Sequence, residues 1–426
     1  MNPVPEEQLA RRIGLFDATM VVMGGIVGSG IFVTPAIVAS LTATSAEMIG
    51  AWLLGGAAAL LGAFVYAGLS RQRPFAGGQY VYLREAFHPA VGFLYGWALL
   101  LVIQTGGMAV CAMTFARYFR QLAGIALPEG ALAALVMAVL TLVNCLGVAA
   151  GARVQSALML LKIAAIAALV GIGFAGAPST AVEDLRGGTS FVAALVPVLF
   201  SYGGFQTACF VAGEMKDARR DLPRALVAGV LGVVALYAGV ALACLRVLGK
   251  TALERSVAPA MDVAERVVGP SGAALIGAGV AISSLGFLSQ SILTAPRVYY
   301  AMAEDGAFFR GVARVHPRTR APVTAIVLQG AVAIGLALAG TYEVLLRYVV
   351  SIDFIFFALT ASCLFVFRRR GEPVRMPGHP LTTLLFIAVC AAVVISTFAR
   401  DPVHSLTGLA LTLAGLPVYL LWRRTP

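Results

Sequence analysis

Residues 24–30 read Gly-Gly-Ile-Val-Gly-Ser-Gly, and this run interrupts a long apolar stretch at residues 15–39. A second run, Ser-Tyr-Gly-Gly-Phe at residues 201–205, interrupts another apolar stretch at residues 191–213. Glycine weakens a helix, and a helix broken inside a membrane leaves N–H and C=O groups without intrahelical partners. The two runs therefore predict two discontinuous membrane helices whose free peptide groups could bind a ligand.

The composition is that of a membrane protein. Of the 426 residues 60% are hydrophobic and only 12% are charged, and the mean hydropathy is +0.90. Soluble domains are about half apolar and a quarter charged. A water-soluble enzyme is excluded, and twelve helices of about 20 residues would leave no room for a sizeable soluble domain.

Hydropathy windows of about 19 residues predict twelve helical spans. These spans are residues 15–39, 47–70, 90–119, 131–150, 154–175, 191–213, 225–245, 271–301, 323–340, 342–367, 381–398 and 405–422. We expect them to form a single transmembrane domain over residues 1–426.

The two glycine runs predict an internal repeat. Their centres, Gly28 and Gly203, lie about 175 residues apart, and five predicted spans separate the two copies. Because five is odd, the second copy crosses the membrane in the opposite sense, as in many secondary transporters. The predicted fold is an all-α integral membrane protein of twelve transmembrane helices. Its predicted parts are repeat one at about 14–175, repeat two at about 190–368, and two additional helices at about 381–423.

The positive-inside rule of membrane proteins explains the net charge of +11 better than nucleic-acid binding does. The basic residues form short clusters between apolar runs, and most of them share one side if the N-terminus is cytoplasmic. Arg11, Arg71, Arg219, Arg297 and Arg368 are examples. Both termini are then expected in the cytoplasm, and no nucleic-acid partner is expected.

Other site classes find little support in the sequence. The six cysteines all lie in apolar runs without metal-ligand or disulfide spacing, so we expect buried thiols and no metal. The four histidines lie in predicted loops, and neither H-E-x-x-H nor G-x-S-x-G occurs, which disfavours an intramembrane hydrolase. A channel would use rings of selectivity groups rather than two broken helices in one chain.

The two breaks match the charges of an α-amino acid. Free N–H groups and a positive dipole end suit a carboxylate, whereas free carbonyls and a negative dipole end suit an ammonium. The alternative is that the glycines only let helices approach closely. Four glycines in seven residues, matched by a second break at the symmetric position, favour the binding site.

Lys162 and Asp353 are the ionisable residues predicted deep within a span, where such groups are costly and often functional. Lys162 could hold the broken first helix through its carbonyl groups, titrate, or simply pair with Asp353. Asp353 could instead satisfy a neighbouring hydroxyl or arginine. Ser283 and Ser284 could ligate sodium or bond back to their own helix, and Tyr237 could bond a cavity group or only pack.

Four stretches in order resemble amino acid transporters of the amino acid-polyamine-organocation superfamily, most closely the L-type amino acid transporter family. Residues 24–35 contain the G-S-G-I-F signature, and residues 200–215 are similar to the sixth-helix break followed by Gly-Glu-Met. Residues 74–87 resemble the loop after the second helix, and residues 296–317 resemble the segment after the eighth. The similarity runs over nearly the whole chain.

This resemblance implies a five-plus-five inverted repeat, alternating access, and transport of neutral L-amino acids, commonly as sodium-independent exchange. No cofactor is implied. It also implies that Phe200 is an external gate, that Lys162 occupies the region of a sodium site, and that Tyr237 works with this lysine. The substrate-binding residues expected from the resemblance and from the breaks are Ile26, Gly28, Ser29, Gly30, Phe200, Ser201, Tyr202, Gly203 and Phe205.

Two residues depart from the family pattern: Phe205 stands where many relatives have tryptophan, and Asp353 is not part of the pattern. The loop at residues 121–130 contains no cysteine, so a disulfide-linked heavy subunit is not expected. Chain size and short loops indicate a bacterial inner membrane. Two further functions stay open: a proton-coupled symporter using Lys162 or Asp353, and an amino acid sensor with the same fold.

Overall fold

The structure is a computed structural model that describes residues 9–180, 190–339 and 342–422. In these residues all regular structure is helical, apart from an isolated β bridge between Ile13 and Met215. The α-helices are α1 (Leu15–Ile26), α2 (Thr34–Leu41), α3 (Ser45–Gln72), α4 (Gln79–Ala86), α5 (Pro89–Ala98), α6 (Gln104–Ala123), α7 (Glu129–Cys145), α8 (Val148–Ala175), α9 (Phe191–Ser201), α10 (Ala218–Leu248), α11 (Lys250–Leu253), α12 (Pro259–Val268), α13 (Pro270–Thr294), α14 (Pro296–Glu304), α15 (Val323–Leu338), α16 (Tyr342–Arg369), α17 (Leu381–Arg400), α18 (Pro402–Leu413) and α19 (Gly415–Trp422). Short 3₁₀ helices cover Gly30–Phe32, Phe205–Glu214 and Arg310–Ala313, and a π-helical turn at Leu99–Ile103 joins α5 to α6.

Nine helical stretches in the described residues are long and apolar enough to cross a membrane. They are Ser45–Gln72, Pro89–Ala123, Val148–Ala175, Phe191–Glu214, Ala218–Leu253, Pro270–Glu304, Val349–Arg369, Leu381–Arg400 and Pro402–Trp422. Three shorter apolar helices, α1, α7 and α15, coincide with the remaining predicted spans. All twelve predicted spans are thus largely helical, but three do not contain a helix long enough to cross by itself.

Several predicted boundaries are wrong, because hydropathy windows end where polar residues begin while helices continue. The predicted span 47–70 lies inside α3, which begins after Thr44, and the Thr44 hydroxyl accepts a hydrogen bond from the Glu47 N–H at 3.1 Å. The predicted span 131–150 crosses a real break: α7 ends at Cys145, and Gly147 adopts φ +117° before α8 begins.

Small residues let the central helices approach closely. A methyl group on Gly56 of α3 would lie 2.8 Å from a Val234 methyl of α10, and one on Gly229 of α10 would lie 2.6 Å from Val22 of α1. Such contacts allow backbones to pack tightly in a medium that supplies no hydrophobic driving force between helices. They hold α1 against α10 and fix the position of the first break.

One end of the broken helices is closed by backbone and charge contacts. The N–H groups of Arg12 and Ile13 donate to the Glu214 carbonyl at 2.8 and 3.0 Å, and the Lys216 N–H donates to Ile13 at 2.9 Å. The Glu214 carboxylate accepts two hydrogen bonds from Arg297, at 2.8 and 3.0 Å, and both side chains are fully buried. The sequence predicts Arg297 on the cytoplasmic side, and the structure shows that it forms a buried ion pair with Glu214.

Candidate functional site

At the first helix break, a short stretch of backbone leaves the helical hydrogen-bond pattern. Helix α1 ends at Ile26, and Val27 turns to an extended conformation before the 3₁₀ turn at Gly30–Phe32. Gly28 and Ser29 are half-buried, and Gly30 is exposed. In the described part of the chain no backbone hydrogen bond uses the Gly28 N–H group, whereas Ser29 hydrogen-bonds the Cys111 thiol. The Gly28 donor therefore remains free for a ligand.

Three side chains from three different helices bind successive carbonyls of this break. The Tyr237 hydroxyl of α10 donates to the Ile26 carbonyl at 3.1 Å. The Lys162 ammonium of α8 donates to the Val27 carbonyl at 2.5 Å, and the Ser283 hydroxyl of α13 donates to the Gly28 carbonyl at 2.9 Å. Carbonyls freed at a helix end need such partners when they are buried. Lys162, Tyr237 and Ser283 therefore hold the broken end in place.

The Lys162 side chain lies at the centre of this arrangement. It is fully buried. Glycine at position 286 makes the space for it, because a methyl group there would lie 2.2 Å from the Lys162 Cε atom. No ion pair joins Lys162 to Asp353 in the described residues, so the pairing that the sequence left open does not occur. The ammonium instead meets the negative end of the α1 dipole.

The two serines of α13 differ in what they bind. The Ser283 hydroxyl reaches across to the first break, whereas the Ser284 hydroxyl donates to the Val280 carbonyl of its own helix at 3.0 Å. The interpretation of Ser284 as a back-bonded helical serine therefore fits the structure, and the pair does not converge on one point.

The second helix break touches the first. Helix α9 ends at Ser201, and Gly204 adopts φ +101°, a backbone conformation that side chains rarely permit. A methyl group on Gly204 would lie 2.0 Å from the Gly25 carbonyl oxygen, and one on Gly25 would lie 2.5 Å from the Gly204 oxygen. The glycines of both runs are thus needed where the two backbones meet.

The carbonyls of the second break differ in whether they accept a hydrogen bond. The Phe200 carbonyl accepts a hydrogen bond from the Gly203 N–H at 3.0 Å. In the described residues no backbone hydrogen bond uses the Gly203 carbonyl. The Ser201 hydroxyl lies 2.8 Å from the Pro197 carbonyl and 3.2 Å from the Thr34 hydroxyl, which ties α9 to α2. Of the carbonyls expected to accept the substrate ammonium, Gly203 is the one without a partner.

Two of the aromatic residues that the sequence predicts to bind the substrate are buried beside the second break. Tyr202 is buried; its hydroxyl donates to the Trp52 carbonyl at 3.3 Å, and its ring lies 5.2 Å from that of Tyr237. Phe205 is also buried, with its ring stacked 5.9 Å from Phe357 of α16. Phe200, by contrast, is half-buried at the end of α9.

A small cavity of about 20 Å³ lies beside Gly203, between Phe205, Phe354 and Phe357. It has room for about one water molecule. Its lining is aromatic and aliphatic, so the space next to the second break is apolar.

Asp353 lies apart from the lysine. It is half-buried on α16, within electrostatic range of the hydroxyls of Tyr66 and Tyr95. In the described part of the chain its carboxylate forms no hydrogen bond or ion pair, and the Tyr95 hydroxyl is buried without a hydrogen-bond partner. No group of three or more His, Cys, Asp or Glu side chains among the described residues could hold a metal ion.

The sequence did not single out the amide side chains that surround the breaks. The Gln290 amide donates to the Thr207 hydroxyl at 2.5 Å, and a methyl group on Gly24 would lie 1.9 Å from the Gln155 amide nitrogen. The amide nitrogen and oxygen of Gln155 and the amide oxygen of Gln290 are buried without a hydrogen-bond partner in the described residues. Glutamines inside predicted apolar spans are the signal that could have found them, because a buried amide is costly.

The chain is similar in sequence to known amino acid transporters. Residues 13–421 match the model of a family described as amino acid permease. The chain is 31% identical to the serine/threonine exchanger SteT of Bacillus subtilis (strain 168), over 96% of each chain.

Animal transporters are similar as well. The chain is 28% identical to the human Asc-type amino acid transporter 1, over 98% of this chain and 84% of the human protein. It is 29% identical to the mouse large neutral amino acids transporter small subunit 2, over 98% of this chain and 82% of the mouse protein. The resemblance that the sequence motifs indicated is confirmed.

Proposed function

The chain belongs to the amino acid permease family, and we propose that it exchanges neutral L-amino acids across the membrane by alternating access. Membership makes it a multi-pass membrane transporter of amino acids and not an enzyme. The observation that carries the proposal of exchange is the Lys162 ammonium on the Val27 carbonyl, because a charge built into the protein takes the place of a coupling cation.

The proposed fold is twelve transmembrane helices in a five-plus-five inverted repeat. Nine long helical stretches and the shorter α1, α7 and α15 support the number of spans. The two contacting breaks support the discontinuous first and sixth helices, since each follows the first helix of its repeat. The repeats would cover residues 14–175 and 190–368, with additional helices at 381–423.

We propose that the substrate carboxylate binds the free N–H group of Gly28, with the backbone of Ser29 and Gly30 beside it. Gly30 is exposed and no atom lies nearer than 3.8 Å to the position of a methyl group on it, so a ligand can approach this backbone closely. Backbone donors near a helix start suit an anion and select no side chain.

The substrate ammonium would bind the Gly203 carbonyl, with the Ile26 and Phe200 carbonyls next to it. The Gly203 carbonyl is available, whereas the other two already accept one hydrogen bond each and have a second lone pair. A carbonyl at a helix end attracts a cation. The amino and carboxyl groups of one substrate would therefore bridge the two breaks.

A neutral, apolar or small side chain fits the surroundings of Gly203. Phe205 and Phe357 line the wall, Tyr202 supports it, and Phe200 at the end of α9 is positioned to act as a gate. The name of the Bacillus relative refers to serine and threonine, and those of the animal relatives to large neutral amino acids and Asc-type transport. These names support neutral substrates for this chain.

A proton-coupled symporter is the second candidate. The observation that favours it is the unpaired, half-buried Asp353 carboxylate near Tyr66 and Tyr95. Acidic groups within membrane spans serve as proton carriers in transporters.

We further propose a bacterial inner membrane with both termini in the cytoplasm and no disulfide-linked heavy subunit. Alignment with the Bacillus exchanger over 96% of both chains supports a bacterial cell membrane. The absence of cysteine at residues 121–130 supports the expectation about the subunit.

Counterflow in liposomes tests the proposed exchange. The purified protein is reconstituted, and uptake of radiolabelled neutral L-amino acids is measured with and without unlabelled amino acid inside, at equal and at unequal pH. An exchanger takes up label only into loaded vesicles. Uptake into empty vesicles driven by an inward proton gradient would instead establish symport, and binding without flux would indicate a sensor.

A further inference from the structure

An arginine-lined cleft lies at one end of the helical bundle, away from the helix breaks. It has a volume of about 520 Å³ and lies between the end of α3, the start of α10 and the segment that follows α16. Six of its lining residues are arginines, and one of them, Arg73, is paired with Glu372. The other five are Arg71, Arg219, Arg220, Arg224 and Arg375.

Among the described residues, the lining of the cleft carries more positive than negative charge. The acidic lining residue, Glu372, is engaged by Arg73 at 2.7 Å. In the described residues none of the five arginines forms an ion pair or a side-chain hydrogen bond. Like charges gathered in one concavity repel each other and focus a positive potential there. An anion in the cleft would relieve this repulsion, and guanidinium groups bind phosphate oxygens in bidentate geometry.

An exposed face of α10 adjoins the cleft. On α10, Arg220 and Arg224 lie on the same face of the helix as a row of exposed apolar residues further along it. This face comprises Arg220, Arg224, Ala228, Leu231, Ala235 and Leu242. At 100° per residue these positions fall within a narrow stripe. Leu231 and Leu242 are 49% and 40% exposed, and in a membrane-spanning helix such side chains contact acyl chains.

We propose that this cleft binds the phosphate head group of an anionic phospholipid, with its acyl chains on the apolar stripe of α10. Basic pockets between membrane helices are suited to such head groups. A soluble anion would use the arginines but not Leu231 or the residues above it. The bound head group would join α3 and α10 to the segment containing Arg375.

The test uses the full-length protein purified in detergent and stripped of lipid. Cardiolipin, phosphatidylglycerol and phosphatidylcholine are titrated while the melting temperature is followed. We expect saturable stabilisation by the two anionic lipids and little by phosphatidylcholine. Equal stabilisation by phosphatidylcholine would overturn the proposal. Inorganic phosphate and glycerol 3-phosphate form separate arms, and full stabilisation by either would assign the cleft to a free anion and overturn the lipid assignment.

Matched variants locate the effect. Arg220→Gln combined with Arg224→Gln should weaken the anionic-lipid response by about tenfold. The control combines Arg314→Gln with Arg318→Gln, which removes two exposed arginines outside the cleft and should retain the response. Equal losses in both variants would reduce the effect to general charge and contradict the proposal.

A measurement on the unmodified chain guards against misfolded variants. A photoactivatable phosphatidylglycerol with the reactive group on an acyl chain should crosslink within residues 224–242. Crosslinks confined to other helices would contradict the assignment.

Discussion

Lys162, Tyr237 and Ser283 explain how a helix can end in the middle of a membrane. Each binds one of three successive carbonyls, at Val27, Ile26 and Gly28 respectively. An unpartnered carbonyl in this setting costs about 1–3 kcal/mol. The break is therefore stable without a ligand, and the Gly28 N–H group remains available.

Replacing Lys162 by alanine should impair transport more than folding. The Val27 carbonyl loses its donor and a cavity forms, so we expect a melting temperature lower by several degrees, because loss of a buried partner costs about 1–3 kcal/mol. Exchange should fall below about a tenth of the wild-type rate, since the charge that holds the break is lost. Counterflow and thermal unfolding measured on the same preparation check both parts.

Ser284→Ala serves as the control for Lys162→Ala, because its hydroxyl bonds only its own helix. It should transport like the wild type. Wild-type exchange by a well-expressed Lys162→Ala protein would refute the role given to the lysine.

Gly30 tests the close approach of substrate to backbone. A methyl group there meets nothing nearer than 3.8 Å, so the fold should accept a larger side chain. We expect Gly30→Leu to abolish amino acid binding by filling the approach to the N–H groups, and Gly30→Ala to weaken it less. Thermal-shift titration measures both. Unchanged affinity in Gly30→Leu would show that the ligand lies elsewhere.

The sequence predicted which residues lie at the helix breaks but not which atoms form hydrogen bonds there. A lysine deep in an apolar span is energetically costly, so the sequence alone predicts that it binds a polar partner. That its partner is the Val27 carbonyl and not Asp353 depends on how α8 packs against α1, which no local pattern encodes. Gln155 and Gln290 were missed because only ionisable residues within the spans were treated as functional candidates, although a buried amide is costly too.

Among the elements, the paired breaks depend on glycine because two backbones touch. The Gly25 and Gly204 carbonyls lie where side chains at these positions would stand, and Gly204 also has positive φ. The glycines therefore serve close packing and ligand binding together, and the two interpretations of the sequence are not exclusive.

Gly204→Ala should consequently destabilise the protein. The added methyl would lie 2.0 Å from the Gly25 oxygen, and the backbone would be strained. We expect a loss of at least about 1–3 kcal/mol, seen as a lower melting temperature or a poor yield of folded protein.

Gly335→Ala is the matched control for Gly204→Ala, because no atom lies within 4 Å of its added methyl on α15. It should be neutral or slightly stabilising. A Gly204→Ala protein as stable as Gly335→Ala would mean that the breaks do not touch as described.

Helix positions were predictable because apolar runs of this length have few alternatives in lipid. Helix ends were less predictable. Caps such as Thr44 extend helices beyond the apolar run, and Gly147 divides a stretch that hydropathy reads as continuous. The pairing of Arg297 with Glu214 was not predicted, because it depends on contacts between distant segments.

For the whole molecule, Arg73 links two surface segments outside the membrane spans. It contacts Glu85 of α4 at 2.5 Å and Glu372 of the segment after α16 at 2.7 Å. Hydrogen bonding to the Arg73 guanidinium lowers the pKa of Glu372 below its ordinary value, and burial opposes this only partly. The pair holds the segment that borders the arginine cleft.

A lowered pKa in the folded state gives stability that is present above the ordinary carboxyl pKa and lost as pH falls through the folded value. Glu372→Gln should therefore destabilise the protein at neutral pH, by about 0.5 kcal/mol because the pair is partly exposed. The difference should shrink below about pH 4.5, the usual range of a glutamate. Melting temperatures of both proteins from pH 7 to pH 4 check this, and a pH-independent difference would contradict it.

The central claim is that the two helix breaks recognise the ammonium and carboxylate groups that all amino acids share. The most direct measurement is inhibition of exchange by analogues of whichever amino acid gives the fastest uptake. Its α-amide lacks the carboxylate charge, and its α-hydroxy acid lacks the ammonium.

Each analogue should inhibit at least about tenfold more weakly than the parent amino acid, because each loses one set of charged hydrogen bonds. Equal inhibition by either analogue would contradict recognition by the paired breaks.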